Sequence, residues 1–93
     1  MDFEWDGDKS DACLSERGFD FAYAASAFSD TNRLIEEDTR FVYGEPRFRL
    51  LGKIESRLFV VVYTLRKDSI RIISGRKANA REVRQYENRT NEN

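Results

Sequence analysis

The sequence predicts an α+β domain: two N-terminal helices, an antiparallel sheet of three to four strands, and a C-terminal helix. Three observations carry that expectation. Phe21, Ala24, Ala25 and Phe28 recur at helical spacing, residues 58–63 lie in a near-continuous β-branched and aromatic run, and Asn79 stands three residues before Glu82, the spacing of a capping box. A chain of 93 residues has room for one core. A single domain over 1–87 is expected, with a polar tail over 88–93 that frays.

Each element has its own justification. Phe3 and Trp5 alternate with acids and read as a short strand or an anchored arm. Asp6 or Asp8 caps a first helix that runs to Arg17 and stops at Gly18, with only Ala12, Cys13 and Leu14 as apolar material. Asp20 caps the second helix. Residues 33–38 are a candidate strand ending in an acidic turn. Arg47-Phe48-Arg49-Leu50 alternates, with both arginines on one face. Residues 57–65 are the central strand, and 69–74 pair with them through the polar turn Arg66-Lys67-Asp68. The last helix runs to about Glu87 and buries Val83 and Tyr86.

Sixteen Lys and Arg against seventeen Asp and Glu leave a net charge of −1. The sum hides a division: residues 1–38 carry three bases and eleven acids, whereas 39–93 carry thirteen bases and six acids. A C-terminal half of net charge +7 is suited to a phosphate backbone. There is no histidine, which excludes Ser-His-Asp and Cys-His catalysis and imidazole-ligated metals. The single Cys13 forms no internal disulfide and fits a reduced, cytoplasmic setting. No apolar run is long enough for a membrane, and Met-Asp-Phe-Glu-Trp lacks the positive region of a signal peptide.

The arginines are the candidate chemistry. Arg47, Arg49, Arg57 and Arg71 lie on strands, and Arg76 with Lys77 follow where the last strand is expected to end. Antiparallel pairing brings several of these side chains over one side. Their planar forks suit phosphate and stay charged at physiological pH. The plainer reading is a solvated face paired with the acidic N-terminal half. Ser74 has neither a base nor a nucleophile elbow, so its hydroxyl finishes a strand or touches a ligand. The acids around Cys13 raise its thiol pKa. Asp6, Asp8 and Asp11 lack the glycine and distal glutamate of a calcium loop, so no metal or cofactor is read. Most aromatics belong to the core, while Tyr86 either packs or reaches a substrate.

Gly44-Glu45-x-Arg47, Arg57-Leu58 and the run Arg71-Ile72-Ile73-Ser74-Gly75-Arg76-Lys77-Ala78 resemble the BrnT family of bacterial toxins. Phe3-Glu4-Trp5-Asp6, Lys9, Glu82 and Tyr86 match as well. The resemblance implies a RelE-like fold and an RNA endonuclease that halts translation. It also implies neutralisation by a BrnA-type antitoxin with a ribbon-helix-helix domain, through which alone operator DNA is contacted. Family positions fall on Lys9, Arg57 and Arg76; Lys77 and Ser74 are added as neighbours. The reaction implied is attack by a 2′-hydroxyl, in which cations stabilise a phosphorane. Arg57 and Arg76 would clamp the phosphate, Lys77 or Lys9 would assist the leaving oxygen, and Arg47, Arg49, Arg71, Ser74 and Tyr86 would bind RNA. Glu45 or Glu82 serves as base or as a structural partner of an arginine. The chain departs from the family at Cys13 (usually Asn), at Glu16-Arg17 (usually Lys-His) and at Gly75 (usually Ala). The alternative is a catalytically silent relative that binds the antitoxin and tunes autorepression.

Overall fold

The computed structural model describes residues 2–40 and 42–90. In chain order these form β1 (Asp2–Trp5), α1 (Gly7–Arg17), α2 (Phe21–Ala24), a 3-10 segment (Ala25–Ser29), β2 (Leu34–Glu37), β3 (Phe48–Ile54), β4 (Arg57–Arg66), β5 (Ser69–Lys77) and α3 (Ala80–Thr90). The strands make one sheet in the order β1-β5-β4-β3-β2. β1 runs parallel to β5, and the other neighbours are antiparallel. The α+β class is as expected, but the sheet is five-stranded and mixed rather than antiparallel with three to four strands. The extra strands are its edges. β1 earns its place by turning Phe3 and Trp5 onto the core, and β2 turns Leu34 inward while Ile35 stays exposed.

Asp6 caps α1, its Oδ1 accepting the N–H groups of Asp8 at 2.9 Å and Lys9 at 3.3 Å. Gly18, at φ 86°, closes the helix by donating its N–H to the Leu14 carbonyl. Ser10 Oγ, buried beneath α1, accepts the Phe21 N–H at 3.0 Å and ties the two helices together. The second helix is shorter than its periodicity suggests. It is α-helical only over Phe21–Ala24 and then tightens to 3-10 geometry. With three residues per turn, the buried stripe becomes Phe21, Ala24 and Ala27, and Phe28 is left half-buried. The 3-10 segment lies directly on β3: a Cβ at Gly52 would stand 2.4 Å from the Ala27 carbonyl oxygen.

The capping box forms in both directions. Glu82 donates its N–H to Asn79 Oδ1, and Asn79 donates its own to Glu82 Oε1, both at 2.9 Å. α3 continues to Thr90, past the expected end near Glu87; of the expected tail, residues 91–93 lie outside the described residues. The sheet therefore carries α1, α2 and the 3-10 segment on one face and α3 on the other. The first face holds twelve buried core residues, including Phe19, Phe59 and Tyr63, and the second only Leu51, Leu58, Val60 and Tyr86. At about 1.5–3 kcal/mol for each large side chain, α3 is the more weakly held layer. Its N-terminal half leaves room against the sheet.

Candidate functional site

A bulge in β5 builds the site. Val62 pairs with Ser74 and Tyr63 with Ile72, so Ile73 is an extra residue without a partner in the register. Before the bulge Arg71 faces Thr64; after it Ser74 faces Val62 and Arg76 faces Val60. Val60, Val62 and Thr64 alternate along β4 and share one side of the sheet. The bulge thus brings Arg71, Ser74 and Arg76 to a common face despite their uneven spacing. Arg49, opposite Val62 on β3, joins them. Because Val60 packs beneath α3, this is the α3 face.

Each of these arginines meets a carboxylate. Arg71 Nη1 lies 2.8 Å from Glu4 on β1, and Arg49 pairs with Glu36 on β2. Arg76 grips Glu82 with both nitrogens, at 2.8 and 2.7 Å, and Arg49 Nη1 stands 3.7 Å from the same carboxylate. Hydrogen bonding to Arg76, aided by the Asn79 N–H and the Arg49 charge, outweighs burial and holds Glu82 at a pKa of about 2. Glu82 is therefore a fixed anion that orients Arg76, and far too weak a base to collect a proton near neutrality.

A cleft of about 630 Å³ opens here, lined by Arg40, Arg49, Arg76, Asn79, Arg81, Glu82 and Gln85. Arg40 reaches it from the loop after β2, forked onto Asp38 at 2.9 and 3.0 Å. That pairing lowers the nearly buried Asp38 to a pKa of about 2. Arg81, exposed in the first turn of α3, has no ion pair among the described residues. Four guanidinium groups thus border one small volume, three of them paired with carboxylates.

Other residues singled out from the sequence do not converge on the cleft. Arg47 precedes β3 instead of sharing its face with Arg49; its guanidinium carbon lies 4.1 Å from the Tyr43 ring centroid, and its Nε is buried without a hydrogen-bond partner among the described residues. β5 extends through Lys77, not just to residue 74, so Lys77 pairs with Phe59 and points to the face opposite Arg76. Arg57 sits where β4 starts, bordering a separate hollow with Leu58, Ala78, Val83 and Glu87. It lies three residues, about 10 Å, from the partner of Arg76. Lys9 is exposed on α1, in the layer behind the sheet. Tyr86 packs: it is buried, and its hydroxyl donates to Asp30 Oδ2. Burial and that bond raise its pKa to about 12.

Sequence reasoning missed Arg40, Arg81 and Gln85. Arg81 and Gln85 are four apart in the helix that the capping box announces, so a helical projection from Asn79 would have found them. Arg40 left no such sign. Three of the four residues that depart from the pattern named above, Cys13, Arg17 and Gly75, meet in space. The Gly75 carbonyl accepts from Cys13 Sγ at 3.6 Å and from Arg17 Nη1 at 3.2 Å, while a Cβ at Gly75 would press the Ala24 methyl at 3.3 Å. Burial pushes the Cys13 thiol pKa upward, against the opposing influence of Arg17.

The fold and the cleft define a small α+β protein with an arginine-lined cleft on its sheet. Residues 5–82 match the family described as the ribonuclease toxin BrnT of type II toxin–antitoxin systems. The chain belongs to the BrnT family of ribonuclease toxins, whose partner is a protein antitoxin. No curated protein matches the sequence. Among the described residues, no helix is long and apolar enough to cross a membrane.

Proposed function

We propose that the protein cleaves RNA in the cleft between α3 and the sheet, by attack of a 2′-hydroxyl on the adjacent phosphorus. The P–O5′ bond breaks, leaving a 2′,3′-cyclic phosphate and a free 5′-hydroxyl. The transition state carries more negative charge on its non-bridging oxygens than the diester does, and preorganised donors aimed at that charge lower the barrier. Arg76, held by Glu82, is the best-oriented donor, with Arg49, Arg40 and Arg81 around it. The observation that carries this reading is the convergence of four arginines on one cleft. An antitoxin of the BrnA type, with a ribbon-helix-helix domain, is the partner expected to cover this face and to contact operator DNA for the complex.

A second reading has its own support. Arg49 and Arg76 already pair with the Glu82 carboxylate in the cleft, as a purely structural network would, and a silent antitoxin-binding module needs nothing more. Purified protein and its Arg76→Ala variant, incubated with a defined RNA and with ribosomes, separate the two. Cleavage by the parent with cyclic phosphate ends, reduced about 100-fold or more in the variant, is the expected result. Intact RNA from both, with antitoxin binding retained, would replace the nuclease by the silent module.

A further inference from the structure

On the other side of β5 lies a hollow of about 400 Å³, bounded by Arg17, Phe19, Asp20, Tyr23, Phe59 and Lys77. We propose that it receives a single unstacked base of the RNA whose backbone occupies the Arg76 cleft; this rests on the function proposed above. The volume falls in the range of small-ligand sites. Its floor is aromatic: Phe19 and Phe59 meet edge to face at 5.0 Å, and Tyr23 closes on Phe59 at 5.7 Å. Phe19 and Phe59 are themselves buried, so the accessible aromatic surface is that of Tyr23, a residue 37% exposed, with Leu14 at the rim 50% exposed. Exposed aromatic surface in a hollow is what a base stacks on, whatever its identity. Gly18 contributes no side chain, and a Cβ placed there would meet nothing within 4 Å, so the mouth stays open.

The charges point to a nucleotide. Lys77 has no ion pair among the described residues, in contrast to Arg49, Arg71 and Arg76. Arg17 donates to the Gly75 carbonyl and bonds the Cys13 sulfur, which leaves others of its five N–H donors without a partner among the described residues. Both cations stand beside the aromatic floor, placed for the phosphate flanking a stacked base. Asp20 Oδ1 accepts the Tyr23 N–H, and the remaining carboxylate oxygen is an acceptor at the wall for a base N–H. Continuity with the cleft comes from the strand itself. Arg76 and Lys77 are consecutive, so adjacent nucleotides passing the end of β5 meet one residue on each face.

The same geometry disfavours a peptide strand. β1 pairs with β5 only as far as Ile72, which leaves the outer edge of 73–77 without a strand partner. A peptide adding to that edge would need its carbonyls, and the one at Gly75 is already taken by Arg17 and Cys13. The hollow beside this edge is thus open to a base and closed to strand addition.

The test uses a non-cleavable 2′-O-methyl oligonucleotide with 2-aminopurine at successive positions, and the parent, Tyr23→Ala, Lys77→Ser and Arg76→Ala proteins. Tyr23 and Lys77 are exposed, and two variants guard against one failing to fold. The expected result is quenching of 2-aminopurine at one position in the parent. Tyr23→Ala should relieve it, and both Tyr23→Ala and Lys77→Ser should bind about tenfold more weakly. Quenching and affinity unchanged in both variants would overturn the base site. If Arg76→Ala still abolishes cleavage of ordinary RNA, the cleft reading survives that outcome. Weakened antitoxin binding in Tyr23→Ala with RNA binding intact would assign the hollow to the antitoxin, and also overturn the proposal.

Discussion

Tyr86 shows how little of a residue's role its chemistry reveals before its neighbours are known. A tyrosine near the end of a basic segment suits stacking on RNA, yet here its ring completes the small core beneath α3. Its hydroxyl donates to Asp30, which also accepts the N–H groups of Asn32 and Lys53 at 2.9 and 2.8 Å. Asp30 thus remains well satisfied without it. Tyr86→Phe should cost about 1 kcal/mol at neutral pH, the net worth of an ordinary hydrogen bond. The pH dependence has a definite sign. The phenol titrates near 10 when unfolded and at about 12 when folded, so its contribution is complete below pH 10 and is lost as the pH rises through 12. Urea unfolding of parent and variant across that window should show their difference closing and then changing sign, because the loss on ionising the buried phenol exceeds the worth of one hydrogen bond; a constant gap would separate the stabilisation from the Asp30 bond. At this scale the sequence was legible where roles are local, as in the Asp6, Asp20 and Asn79 caps. It was silent where a role depends on a partner tens of residues away.

Among the elements, two devices place the site, and neither had a strong local signature. The bulge at Ile73 changes the parity of β5, so that strict alternation from Arg71 would have put Arg76 on the wrong face. Parallel pairing of β1 has no turn to announce it, though it supplies Glu4 as the partner of Arg71. The hairpin of β4 and β5, the central apolar strand and the start of α3 were legible because each rests on contacts close in sequence. The second helix was legible in position but not in kind, because periods of three and 3.6 both bury Phe21 and Ala24 and part only in the next turn, at Ala27 against Phe28. Gly52 tests that packing. A methyl group there meets a backbone carbonyl, which cannot swing aside as a flexible side chain would. Gly52→Ala should therefore destabilise the domain by about 1–3 kcal/mol, despite the usual preference of strands for alanine over glycine. Thermal unfolding would show it as a lowered midpoint. A neutral or raised Tm would mean that the 3-10 segment lifts from β3 at little cost.

For the whole molecule, the division of charge is used twice. The acidic first 38 residues and the basic remainder meet across the sheet as Glu4–Arg71 and Glu36–Arg49, and within the loop after β2 as Asp38–Arg40. A solvated, ion-paired face and a phosphate site were opposed readings of the sequence; the structure shows the ion pairs, and the phosphate site rests on the function proposed above. Carboxylates hold the arginines in place, and Arg81 and Lys77 stay outside the pairing. This arrangement ties the geometry of the cleft to acid stability. Glu82 and Asp38 fall from 4.5 and 3.8 to about 2 on folding. Lowered values mean that both stabilise the fold above their unfolded pKa and lose that contribution as the pH drops toward 2. Since both pair with arginines that line the cleft, acid should loosen the cleft together with α3, the less deeply packed layer. The urea midpoint should therefore fall between about pH 4.5 and 2, and Glu82→Gln should flatten part of that fall while starting from a lower value at pH 7. Gln preserves the capping hydrogen bond to Asn79, so the difference reports the charge. Amide exchange in α3 should accelerate over the same interval as the urea midpoint falls. If the helix stays protected until global unfolding, α3 and the sheet open as one unit, and the pairing of Arg76 with Glu82 is a property of the whole fold rather than of the cleft alone.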